Sequence, residues 1–120
     1  MSREEKIAAA KADAEQKAQA LSEELKAKVH PLVFTTPQDE TPVVGFIREP
    51  NRTIKLAVMD KFHTGFYSAC DQALQACLLK EHSDPRIFSE RQEDDVYYLG
   101  AVNELAEMIQ YAVNHEKKRN

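Results

Sequence analysis

Glycine is scarce in this chain, three residues in 120, and so are cysteine (two) and proline (five). Single glycines at Gly45, Gly65 and Gly100 exclude a collagen-like or Gly/Ser-linker protein. Nor can they form the Gly-rich loop that cradles a phosphate ahead of a helix. A basic excess is missing too: 16 basic side chains face 20 acidic ones, a net charge of -4. That balance argues against a general nucleic-acid binder. No apolar stretch approaches the roughly 18 residues of a membrane span, so no membrane partner is expected. The opening residues are charged and Ala-rich without the apolar core of a signal peptide, which sets a cytoplasmic expectation. What is left is one small domain, or a smaller one with an appendage.

Two cysteines make no disulfide framework. Cys70 and Cys77 fall in a segment that reads as helix, where seven residues rise about 10.5 Å. A disulfide needs Cα atoms within about 7 Å, so this geometry excludes an intrachain bridge. The i, i+7 spacing puts both thiols on one face, as expected of two small buried hydrophobes. His30, His63, His82 and His115 lie in different segments without ligand spacing, and no CxxC or HExxH occurs, so no metal or cofactor is expected.

The pattern along the chain divides it into an arm over 1–28 and an α+β domain over 29–120. The arm is rich in Ala, Glu, Lys and Gln, all strong helix formers. Asp13/Lys17 and Glu24/Lys28 add i, i+4 charge pairs. Its six basic and six acidic residues balance. Its large apolar residues are few, chiefly Ile7, Leu21 and Leu25. So thin a stripe buries little by itself, which leaves an interaction arm or a solvated leader.

A hairpin is expected over 29–49. Leu32-Val33-Phe34-Thr35-Thr36 and Val43-Val44-Gly45-Phe46-Ile47-Arg48 have the β-branched and aromatic content of strands. The polar run Gln38–Pro42 between them reads as a loop too long for a two-residue turn. Two strands alone are marginal, so the hairpin must pack on helices or join another chain's sheet. Exposed edges would permit a homo-oligomer.

Three helices are expected over 51–115. Pro50 suits the start of the first, whose stripe is Ile54, Ala57, Val58 and Met59. His63-Thr64-Gly65 breaks the chain before a second helix, with Phe66, Ala69, Cys70, Ala73, Leu74, Cys77 and Leu78 at threes and fours. Arg86-Ile87-Phe88 reads as a short extended or single-turn piece. The last helix has Asp94 or Asp95 to cap it and an apolar stripe of Val96, Leu99, Val102, Leu105, Ala106, Ile109 and Val113. The cations of His115–Arg119 complement its negative dipole end, a simpler reading than a nucleic-acid tail. Glu81 to Asp95 holds six acids against Arg86 and Arg91, so the chain's whole charge excess is local. It reads as a solvated loop with a helix N-terminus, or as a docking surface for a basic partner.

No catalytic constellation emerges. There is no GxSxG elbow. Asp94 and Asp95 project about 100° apart on a helix, better as caps than as a general acid and base. A redox or metal enzyme built on Cys70 or Cys77 has no positive support.

The order of elements resembles the small tail assembly chaperones of long-tailed phages and prophages. The resemblance rests on Val43 through Arg52, on Ala73-Leu74-Gln75-Ala76-Cys77-Leu78, and on Asp94 through Leu99 with Leu105 to Ile109, about residues 43–113 in all. The chain departs from the family after Cys77, where Leu78-Leu79-Lys80-Glu81-His82 stands in place of a Trp and a Gly-Gly-Asp turn. The resemblance implies a non-enzymatic assembly factor of the host cytoplasm. Such a factor holds the tape measure protein soluble and recruits tail tube protein subunits. Exposure logic then assigns partner contacts to Ile7, Leu21, Leu25, Val44, Phe46 and Arg48. The alternative is a small structural subunit retained in a phage-like particle.

Overall fold

Ser2 starts the first helix: its hydroxyl accepts from the Glu5 amide at 3.1 Å, and Glu4 and Glu5 meet the positive end of the helix dipole. Helix α1 spans Arg3–Leu25 and ends at Lys26, whose φ of 52° reverses the chain into the hairpin. Strands β1 (Val29–Thr36) and β2 (Asp39–Arg48) pair antiparallel. Helices α2 (Arg52–Asp60), α3 (Phe66–Cys77) and α4 (Asp95–Arg119) follow, with short 3₁₀ turns between α3 and α4. The computed structural model describes residues 2–119, and side-chain surroundings through 112. The expected packing of Val113 and the role of His115–Arg119 lie outside those described side chains. The fold is α+β and mostly helical, as expected.

The hairpin differs from expectation at its tip. Thr36 pairs with Asp39, so Pro37 and Gln38 alone make the turn, and Asp39–Pro42 belongs to the second strand. The surplus residues of β2 are taken up by an irregularity between Phe34 and Thr36. A side-chain bond closes the turn, Thr36 Oγ1 donating to Asp39 Oδ2 at 3.0 Å.

Both faces of this two-stranded sheet are buried, each by period-two alternation. Leu32, Phe34, Val43 and Ile47 meet α3 and α4; Val29, Val33 and Phe46 meet α1. This explains why the strands read as unbroken apolar runs rather than alternating ones. The N-terminal helix is therefore a layer of the domain, and the arm expected over 1–28 is docked from Ala14 to Leu21.

The outer edge of β2 is closed as well. The Leu79 amide donates to the Phe46 carbonyl at 2.8 Å, and the Asp84 amide to the Val44 carbonyl at 3.0 Å. Buried Ser83 accepts from the Phe46 amide at 2.9 Å and donates to the Leu79 carbonyl at 2.8 Å. With the Ile47–Leu78 bridge, this segment acts as a third strand. The edge expected to pair with another chain is thus occupied on the β2 side. Phe46 bonds outward, so its register partner Pro31 also faces away from β2, where its missing N–H costs no ladder bond.

Two helical stripes need correction. In α2, Asn51 is the N-cap, accepting from the Ile54 amide at 2.9 Å, with Pro50 one residue outside; Met59 is 53% exposed. In α4, Leu99 is 62% exposed, and Tyr97, Ala101, Val102, Leu105 and Ala106 form the buried face. The helix is turned by its contact with β1, where Gly100 meets the Phe34 ring. Asp95 stands in the first turn of α4, while Asp94 accepts from the Ser89 hydroxyl at 2.7 Å.

A Cβ at Gly100 would lie 2.5 Å from Phe34 Cε2. Alanine improves helix propensity by roughly 1 kcal/mol, but overpacking against a buried ring costs about 1–3 kcal/mol. Gly100→Ala is therefore expected to lower the denaturation midpoint with an unchanged m-value; a rise would contradict the close approach. Ser83→Ala strands a buried amide and is expected to cost about 1–3 kcal/mol in the same measurement.

Candidate partner-binding groove

The inward row of α1 is Ala10, Ala14, Ala18, Leu21 and Leu25, spaced by fours and threes. Alanines let the helix sit close to the sheet, and Leu21 and Leu25 continue the row toward its C-terminal end. Fully burying a Leu or Phe side chain contributes about 1.5–3 kcal/mol, well above the few tenths of an exposed i, i+4 charge pair. Packing therefore holds α1, and its surface charges are secondary.

This helix covers β1 and only part of β2. Beside it lies an open groove of about 510 Å³. Its floor is Pro42, Val44 and Phe46, its walls are Ala9 and Ala10 on one side and His82 on the other. Lys17 holds its ammonium 5.4 Å from the centroid of the Phe46 ring, a cation–π contact at the groove's end. Lys6 lines the other end, 3.7 Å from the carboxylate of fully exposed Glu40. Asp13 is the acid among the lining residues.

Four of the six expected contact residues come together here. Leu21, Leu25, Val44 and Phe46 share one apolar cluster, with Val44 and Phe46 also facing the groove. Leu21 and Phe46 are 4% and 1% exposed, so the contact expected of them with a partner is made within the chain. The reason is that helix and hairpin faces, each unable to stay bare, cover each other. Ile7 is half-buried outside the cluster, and Arg48 is exposed opposite Val29 at the strand's end. Sequence reasoning missed the alanine row, Lys17 and His82. Counting alanines as apolar at helical spacing would have found the row; His82 reaches the groove only through the β2 edge contact.

Below the hairpin tip a polar clamp joins three elements. Arg86 donates to Asp84 through Nη2 at 2.8 Å and through Nε at 3.1 Å, and to the Tyr97 hydroxyl at 3.0 Å. Tyr97 donates to Asp39 Oδ2 at 2.5 Å, and Arg86 stacks 4.3 Å above the Tyr97 ring. The Tyr97 hydrogen bond, with help from Thr36 and Arg86, holds the Asp39 carboxyl below its ordinary range. The Arg86 guanidinium does the same for Asp84. Part of the acidic stretch Glu81–Asp95 is thus internal: Asp84 serves Arg86, and Asp94 serves Ser89.

Other candidate groups are accounted for by packing. Cys70 and Cys77 are buried and free, and burial pushes the Cys70 thiol up to about 11. His30 bonds Glu49, which also accepts from Lys55 at 3.0 Å and so ties the hairpin base to α2. Among the described residues no group of three His, Cys, Asp or Glu is placed to hold a metal ion, and no helix is long and apolar enough to cross a membrane. Comparison of the chain with family models, curated proteins and solved structures finds no match.

Asp39 and Asp84 ionise more readily in the folded chain than in the unfolded one. Their contribution is fully present above the unfolded carboxylate value of about 3.9 and is lost as pH falls through the lowered folded values. Glu104 acts oppositely, since burial and nearby Glu107 raise its carboxyl. The melting temperature is expected to fall steeply below about pH 4. Arg86→Met should lower it at neutral pH and flatten that acid limb; an unchanged limb would contradict the clamp.

Proposed function

We propose that this chain is a non-enzymatic assembly chaperone of a phage or prophage tail, acting in the host cytoplasm by holding the tape measure protein and helping to recruit tail tube protein. The observation that carries the reading is the open groove beside α1, floored by half-buried Pro42 and Val44. A protein that shields an aggregation-prone partner needs an accessible apolar cleft on a scaffold that is itself closed to aggregation. The occupied β2 edge meets the second condition on that side of the sheet, since an open edge would template pairing between copies. The resemblance over residues 43–113 supplies the partner's identity.

A second reading has its own support. Leu56 and Met59 on α2 and Tyr67 on α3 are each more than half exposed. Such an apolar face suits a structural subunit that contacts its neighbours in a particle. Recovery of the chain from purified particles would favour that role.

Co-expression with a phage tape measure protein is expected to raise that protein's soluble fraction, and a pull-down should recover the two together. An unchanged soluble fraction with no co-purification would contradict the chaperone reading.

A further inference from the structure

We propose that α1 exchanges between two copies of this chain, each copy's helix covering the hairpin of the other in a two-fold dimer. The inference is independent of the chaperone reading, since it concerns only which copy supplies the helix.

The connection from α1 to β1 carries the argument. It consists of Lys26, Ala27 and Lys28. Lys26 is the one non-glycine residue with a positive φ among those described, at 52° with ψ 39°. Side chains are disfavoured in that left-handed region, where glycine or asparagine is the usual helix terminator. Lys and Ala are instead strong helix formers. Glu24 and Lys28 stand at i, i+4, a spacing that pairs their charges only on a helix continuing past Leu25. Local preference therefore runs the helix on through Lys28, and the closed fold reverses the chain against it. A short hinge in such conflict favours exchange, because opening relieves the hinge while a second copy restores the docking contacts.

The docking geometry permits the exchange. Helix α1 packs chiefly on β1 and β2, so it can leave and return as a unit. It runs antiparallel to β1. Near the hairpin tip Arg3 Nη2 donates to Thr35 Oγ1 at 3.0 Å, and at the base Ser22 Oγ accepts from the Val29 amide at 2.9 Å. Opened at the hinge, α1 lies in line with β1, beyond the base of its own hairpin. A two-fold axis at the hinge turns the second copy's β1 round, so α1 meets it antiparallel once more. The row from Ala10 to Leu25 then covers Val29, Val33 and Phe46 of the second copy. Within the hinge, the Ala27 amide gives up the Ser22 carbonyl at 3.2 Å. A continuous helix replaces that bond with one to the Glu23 carbonyl.

The test refolds the full chain at millimolar concentration from an equal mixture of ¹³C-labelled and unlabelled protein, then separates species by size. A dimer is expected beside the monomer, with isotope-filtered NOEs from the Ala14 and Ala18 methyls of one copy to Val33 and Phe46 of the other. Lys26→Gly relaxes the closed hinge and weakens a continuous helix. It is expected to lower the dimer association constant about tenfold or more, since each dimer contains the hinge twice. Lys26→Ile, β-branched and poorly tolerated at positive φ, is expected to raise it. Lys26→Gly suits the closed hinge, so that comparison stands even where Lys26→Ile fails to fold. Monomer alone at every concentration, a dimer without those NOEs, or a Lys26→Gly dimer as strong as the parent would overturn the proposal.

Discussion

A two-stranded sheet buried on both faces is the constraint on which the rest of this structure depends. Two strands are marginal in water, and here each face carries large apolar side chains that demand cover. Helices α3 and α4 cover the face of Leu32, Phe34, Val43 and Ile47. Helix α1 covers Val29, Val33 and Phe46, while α2 contributes Val58 and Ile54 to the core of the other face. The N-terminal helix is thus required by the sheet rather than appended to it. Its alanines set how close it comes, and the groove runs along its flank beside Pro42 and Val44.

The edges follow from the same constraint. A hairpin between helices still has two edges, and β2 is closed by residues 78–84 through Ser83, which is buried and bonded on both sides. The clamp of Asp39, Arg86 and Tyr97 then fixes the next turn and the start of α4 against the hairpin tip. Gly100 completes the arrangement by letting α4 approach the Phe34 ring. One chain of contacts therefore runs from the strands through the edge segment to the last helix. Large apolar side chains left outside it include Leu56 and Met59 on α2, Tyr67 on α3 and Leu99 on α4.

Much of this order was legible in the residues. Helix-forming composition marked α1, β-branched runs marked both strands, and threes and fours marked α3 with Cys70 and Cys77 inward. The docking of α1 was hidden because its buried row is mostly alanine, which counts little in a search for large apolar residues. The absence of alternation in Val43 to Ile47 was the available sign that both strand faces are covered. The two-residue turn was obscured by polar residues that serve a tertiary clamp: Asp39 is held by Tyr97, 58 positions away. Val44 and Phe46 were read as partner contacts on the hairpin face, and both pack against α1; the places of His82 and Lys17 depend on contacts between distant segments. Leu99 looked internal by spacing alone, and tertiary packing turned α4 to bury Tyr97 in its place.

Native-state amide hydrogen exchange tests the central claim, that α1 is a wall of the domain. If α1 docks on the hairpin, the amides from Ala14 to Leu21 exchange with protection close to that of Leu32, which bonds within the strand pair, and of Phe46, which bonds Ser83. Protection in α1 that is orders of magnitude weaker than in the strands would contradict it. The helix would then be a separate arm, and the groove beside it would have no wall.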